Sequence, residues 1–128
     1  MLLSQEFMTL LRAHMAPGAV MAFNTTGSDD AFYTATRVFD HAYRYNNFVY
    51  AGDFDFRDRK DRLEARDLYA GLKMDGRPFF SLGSRSIVQF LDESFVTIQQ
   101  AQRKAKRPLE AISDQNMITE FKYGRRLE

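Results

Sequence analysis

Ala19-Val20-Met21-Ala22-Phe23 is an unbroken apolar run closed by chain-breaking residues at both ends, Pro17-Gly18 before it and Asn24-Thr25-Thr26-Gly27 after it. The run is too short for a typical helix, and its lack of polar alternation predicts a strand covered on both faces. Helical patterns flank it. Ser4 suits an N-cap, Phe7, Leu10, Leu11 and His14 fall at helical spacing, and Leu3 ahead of the cap can staple onto Met8 before Pro17-Gly18 ends the helix. On the other side, Ser28 followed by Asp29 and Asp30 makes a capped start that matches the helix dipole, with Phe32, Ala35, Val38 and Phe39 on the inner face. A helix, a buried strand and a helix in succession predict an α/β sheet.

After Asp40 the period changes to two. Ala42, Arg44 and Asn46 alternate with Tyr43 and Tyr45, and Phe48-Val49-Tyr50-Ala51 is again strand-like. Asn46-Asn47 can supply the two positive-φ residues of a tight hairpin, so the sheet is expected to close with an antiparallel pair. From Asp53 to Asp61 mixed charges with Phe54 and Phe56 read as a connector. Lys60 to Lys73 then suits a helix contacting through Leu63, Leu68 and Leu72, broken at Asp75-Gly76-Arg77-Pro78. Ser84 or Ser86 opens what should be the longest helix, with Ile87, Phe90, Leu91, Phe95 and Ile98 on one face and its end at Arg103 to Arg107 before Pro108. The polar tail from Leu109 to Arg126 is not expected to fold alone.

At 128 residues, with 45% hydrophobic and 27% charged side chains, the chain suits a single domain. Its 12 Phe and 6 Tyr must dominate the core. A formal charge of +1 gives no field to attract a polyanion, which argues against nucleic acid as a partner. The chain has no cysteine, which removes disulfides, thiolate nucleophiles and thiolate metal sites. No apolar run approaches the roughly 20 residues that span a bilayer, and Glu6 stands where a secretory signal would be basic, so a cytoplasmic location without membrane contact is expected.

Two stretches carry a family resemblance. Met15 to Gly27, with Pro17-Gly18 ahead of the apolar run and Asn24-Thr25-Thr26 after it, resembles the helix end, fifth strand and following loop of class I methyltransferase-fold proteins, in particular bacterial spermidine synthase-like proteins. Val38-Phe39-Asp40-His41-Ala42-Tyr43-Arg44-Tyr45-Asn46-Asn47-Phe48-Val49 resembles the sixth and seventh strands of the same group, and Asp114-Gln115-Asn116-Met117-Ile118-Thr119-Glu120-Phe121 resembles its acidic, aromatic ending. The match covers about residues 3 to 53 and returns near 113 to 123. It implies a partial Rossmann-like methyltransferase fold, the C-terminal fifth to seventh strands with the last pair antiparallel, followed over residues 54 to 126 by a connector, further helices and a polar tail. It also implies that the parent transfers an aminopropyl group from decarboxylated S-adenosylmethionine to an amine. In the family the Gly-rich loop, the ribose-binding acid and the catalytic aspartate lie on the first, second and fourth strands. No Gly-x-Gly-x-x-Gly occurs here, so neither a cofactor site nor a catalytic residue is assigned to these residues, and the chain alone is expected to be inactive.

Substrate-side candidates remain. By resemblance Asn24, Thr25 and Thr26 border the amine-acceptor pocket, at the strand end where open α/β sheets bind ligands. Read more plainly, Thr25 and Ser28 cap the next helix and Asn24 ends the strand. Classical spermidine synthases have Gln-Gly-Glu-Ser where this chain has Asn24-Thr25-Thr26-Gly27, so the acidic member is missing. Tyr43, Tyr45 and Asp53 could line the same pocket, since hydroxyls and a carboxylate suit an ammonium group; alternation alone makes the tyrosines one face of a strand. Asp114, Asn116 and Glu120 are either a carboxylate cluster or a solvated tail. His14 and His41 read as structural, and Arg103, Lys104, Lys106 and Arg107 as complements to a helix C-terminus. A competing reading is a non-catalytic interaction module that forms a homodimer through an exposed sheet edge, and a third is a small unrelated α/β domain.

Overall fold

The computed structural model describes residues 3–57, 67–68, 70–79 and 94–116. It divides into two compact units, Met1–Phe54 with Val96–Glu128, and Asp55–Phe95.

In the first unit, helix α1 (Gln5–His14) begins where Ser4 accepts a hydrogen bond from the Phe7 N–H. Strand β1 (Val20–Asn24) follows, then helix α2 (Asp29–Val38), whose first turn is closed by the Ser28 hydroxyl accepting from the Ala31 N–H. Strands β2 (His41–Tyr45) and β3 (Phe48–Gly52) form a hairpin around Asn46-Asn47. Only Asn46 of that pair adopts a positive φ, 53°, so one left-handed residue suffices for the turn where two were expected. The sheet order is β1-β3-β2, and β3 runs antiparallel to both neighbours. β1 and β2 therefore point the same way, joined by α2 and separated by β3. The mixed α/β class read from the sequence stands.

Register fixes two faces. Met21, Ala51 and Ala42 stand in one cross-strand row and Phe23, Val49 and Arg44 in another. These rows meet Met8 of α1 and Phe32, Ala35 and Val38 of α2 in the core, with Met21 and Phe23 packed at its margin. On the opposite side stand Val20, Ala22 and Asn24 of β1, all exposed. The expectation of a strand buried on both faces is thus corrected: the short apolar run belongs to a strand covered by helices on one side, and five uninterrupted apolar residues do not reveal which of them alternate outward. On α1 the inner residue is Met8, fully buried, while Leu10 is 57% exposed.

A short helix α3 (Ile98–Lys104) packs against α2 and buries Ala101 in the core. The long helix expected through this region does not run through residues 94 to 97. Val96 instead makes an antiparallel bridge to Arg44, with N–H···O bonds of 3.0 and 2.8 Å, and Thr97 starts α3 through a reciprocal capping box with Gln100. The Thr-x-x-Gln signature was in the sequence, but the apolar spacing that runs across it masked the break. The earlier part of that expected helix, 84–93, lies outside the described residues.

In the second unit, β4 (Lys73–Met74) and β5 (Arg77–Pro78) form a two-stranded hairpin about Asp75 and Gly76, with φ of 52° and 75°. Of the residues read as a helix breaker, Asp75 and Gly76 are its turn and Arg77 and Pro78 its second strand, and Lys73, read as a helix end, is in its first. Phe56 and Phe95 meet edge to face with centroids 6.1 Å apart. Most of the helix expected from Lys60 lies outside the described residues.

Candidate functional site

The end of the sheet where β1 meets α2 is built by local rules. Thr25 is fully buried, and both its N–H (2.8 Å) and its hydroxyl (3.0 Å) donate to the Asn47 carbonyl, so it lashes the β1 end to the hairpin turn. Thr26 takes φ of 51° and Gly27 of 81°, a turn that also lets the Asn24 carboxamide oxygen accept from the Thr26 N–H at 2.8 Å. Of the two roles read for this loop, capping falls to Ser28 alone and Thr25 does something else.

Cross-strand register then assembles the outward face. Asn24, Phe48 and Tyr45 form one row, Ala22, Tyr50 and Tyr43 the next, and Val20, Gly52 and His41 the third. The structure thus places three of the candidate residues, Asn24, Tyr43 and Tyr45, on one face of the sheet. Reading the sequence alone missed Phe48 and Tyr50, which complete that face. The signal was available, since a two-residue turn at Asn46-Asn47 forces Tyr45 opposite Phe48 and Tyr43 opposite Tyr50. His41 approaches the Tyr43 hydroxyl with its Nδ1 at 3.1 Å, and the two rings lie 6.2 Å apart. The face offers a carboxamide, hydroxyls and aromatic rings, a set that suits a polar ligand with an apolar or cationic part.

Two candidates are placed elsewhere. Thr25 points into the packed side. Asp53 follows β3, whose last residue, Gly52, pairs with Val20 at the opposite end of β1 from Asn24, about 13 Å along the strand at the usual rise. Its carboxylate is held by Arg12, at 3.0 Å from Nη2 and 3.3 Å from Nε, and the same guanidinium donates to the Val38 carbonyl and lies 3.7 Å from Asp40. Asp53 therefore ties α1 to the sheet and does not join the tyrosines.

The remaining ionic residues are structural in their contacts. Arg44 pairs with Asp29 while lying over the Phe32 ring, 5.6 Å from its centroid, which lets a charged side chain stand on the core side of the sheet. His14 Nδ1 sits 2.9 Å from the Leu10 carbonyl near the end of α1. Arg103 and Lys104 occupy the last turn of α3, as the dipole favours. Arg107 instead reaches Asp30. Asp114 and Asn116 belong to an ordered turn in which Ser113 and Asn116 bond reciprocally and the Asp114 N–H donates to Glu6; Glu120 lies outside the described residues. Among the described residues there is no cluster of three His, Asp or Glu side chains that could hold a metal, and no helix long and apolar enough to cross a membrane.

Comparison with protein families, with characterised proteins and with solved structures gives no match to this chain.

Proposed function

We propose that the chain is the C-terminal segment of a spermidine synthase-like protein, and that it carries the amine-acceptor side of a site whose donor side lies on other strands. In the parent reaction the amine nitrogen attacks the aminopropyl carbon of decarboxylated S-adenosylmethionine. A C–N bond forms, the C–S bond breaks to release methylthioadenosine, and a base takes the amine proton. The observation that carries this reading is the sheet: an antiparallel last pair lies directly beside β1, and α2 connects β1 to β2 across it. Asn24, Tyr43 and Tyr45 share the face at the strand end where the resemblance puts the acceptor amine. Thr25 and Thr26 shape the loop behind them.

Two measurements test it. Titration calorimetry with decarboxylated S-adenosylmethionine or methylthioadenosine should give no heat of binding to these 128 residues, and stoichiometric tight binding would remove the claim that the donor side is elsewhere. A linear diamine added at millimolar concentration should shift the amide resonances of Asn24, Thr26 and Tyr45 and leave those of Asp53 unmoved. Shifts spread evenly over the chain, or none, would end the acceptor assignment.

A second reading, a non-catalytic interaction module that forms a homodimer, is favoured by one observation. Among the described residues β1 is paired only on the side of β3, and Val20 and Ala22 on it are exposed. Sedimentation velocity at high concentration should then show a dimer; a monomer throughout the range counts against it.

A further inference from the structure

The segment from Arg107 to Asp114 is held against α1 and α2 in the way a bound peptide is held. Its backbone is neither helix nor strand, and at every second residue it donates an N–H to a helix side chain: Glu110 to Asp30 Oδ1 at 2.9 Å, Ile112 to the Thr34 hydroxyl at 2.8 Å, and Asp114 to Glu6 Oε2 at 3.0 Å. The Ile112 carbonyl accepts from the Gln5 N–H at 2.7 Å. Ahead of this ladder the Arg107 guanidinium grips both Asp30 oxygens, at 3.0 and 2.6 Å. The apolar side chains Ile112, fully buried, and Leu109, 8% exposed, fill the space between.

The groove's own groups are disposed for such an occupant. Asp30 is a carboxylate 2% exposed in the first turn of α2, and among the described residues its carboxylate oxygens accept from the Arg107 guanidinium and the Glu110 N–H, both of the segment. Thr34 is fully buried one turn further along the same helix and donates its hydroxyl hydrogen bond to the Asp30 backbone carbonyl at 2.6 Å, which leaves the hydroxyl oxygen to accept from the segment. A buried carboxylate and hydroxyl that find their partners in an extended strap cost a great deal when the strap leaves, and demand a replacement of the same kind. The specificity is set by an arginine three residues before the first donated N–H and an isoleucine two residues after it, because the charge must reach Asp30 and the apolar side chain must reach the core.

From this geometry we infer that the groove between α1 and α2 is a recognition site for an extended segment, occupied in cis by this chain's own Arg107–Asp114 strap, and that it accepts the same strap from a second copy of the chain. Contacts made by a strap in cis are available unchanged to the strap of a neighbour, so exchange needs no new interface. The inference stands apart from the acceptor-side reading and from pairing through the β1 edge, since it uses neither the outward sheet face nor that edge.

The test uses the full chain with Arg107→Ala, which weakens the cis strap and leaves the groove intact, and a fluorescein-labelled synthetic peptide of residues 105–116 as the stand-in for a second copy's strap. Fluorescence anisotropy should show the peptide binding the variant at least about tenfold more tightly than the unsubstituted chain, the factor that roughly 1.4 kcal/mol of lost cis competition gives. A peptide carrying the same Arg107→Ala change should lose that advantage. Equal affinity for both chains, or no binding to a variant whose circular dichroism matches the parent, overturns the inference. Should the variant fail to fold, the unsubstituted chain with a protease site inserted between Ala105 and Lys106 replaces it. After cleavage the strap should remain bound in native mass spectrometry and exchange with labelled peptide; a strap that dissociates from a folded chain and is not replaced refutes recognition in trans.

Discussion

The two faces of the three-stranded sheet are made by the same fifteen residues of strand and have opposite fates. Facing the helices, Val49 and Ala51 are wholly buried and Ala42 nearly so, with Phe32 and Met8 closing over them. Facing outward, Val20 is 36% and Phe48 43% exposed, beside Asn24 and a set of half-buried tyrosines. The difference shows where the fold's stability is concentrated and where side chains are left for recognition. A residue at one parity of a strand is core, and its neighbour in sequence belongs to a surface that can carry function.

The comparison breaks most visibly at Phe32. Replacing it with alanine should remove about 3–5 kcal/mol of unfolding free energy, measured by urea denaturation, because it empties the centre of the helix-covered side and takes away the ring under Arg44. Asp30→Ala comes next, at roughly 3 kcal/mol, since it strands the Arg107 charge and the Glu110 N–H at a packed site. Thr25→Val keeps the shape and removes one hydroxyl bond to Asn47. It should cost about 1 kcal/mol and loosen the hairpin turn, seen as faster amide exchange at Asn46 and Asn47. At the small end, Val20→Thr on the outward face should change stability by less than about 0.5 kcal/mol. A loss near that of Phe32→Ala would mean that the outward face is as much core as the inner one, and the contrast would fail.

The candidate site was partly legible. Alternation from Ala42 to Tyr45 put Tyr43 and Tyr45 on one face, and register does hold them there with Asn24. Asp53 is grouped with them in the sequence by resemblance and because a carboxylate suits an ammonium group, but the strand between Tyr45 and Asp53 carries the carboxylate to the far end of the sheet, where Arg12 takes it. The tail after Pro108 is not expected to fold alone, and its described part, residues 109–116, takes its place through backbone N–H groups meeting Asp30, Thr34 and Glu6, the backbone being the one part of a residue that composition does not register.

Local chemistry alone determined the starts and stops: Ser4 and Ser28 cap helices, Pro17-Gly18 and Thr26-Gly27 turn the chain, and Asn46 makes a hairpin, because each depends on groups only a few residues apart. The tertiary structure decided that β3 lies between β1 and β2, that the apolar run shows one face to the outside, and that Arg107 reaches back 77 residues to Asp30. Those outcomes turn on which surfaces can be buried together once the whole chain competes for the same core, and the order of side chains along the chain does not record that competition.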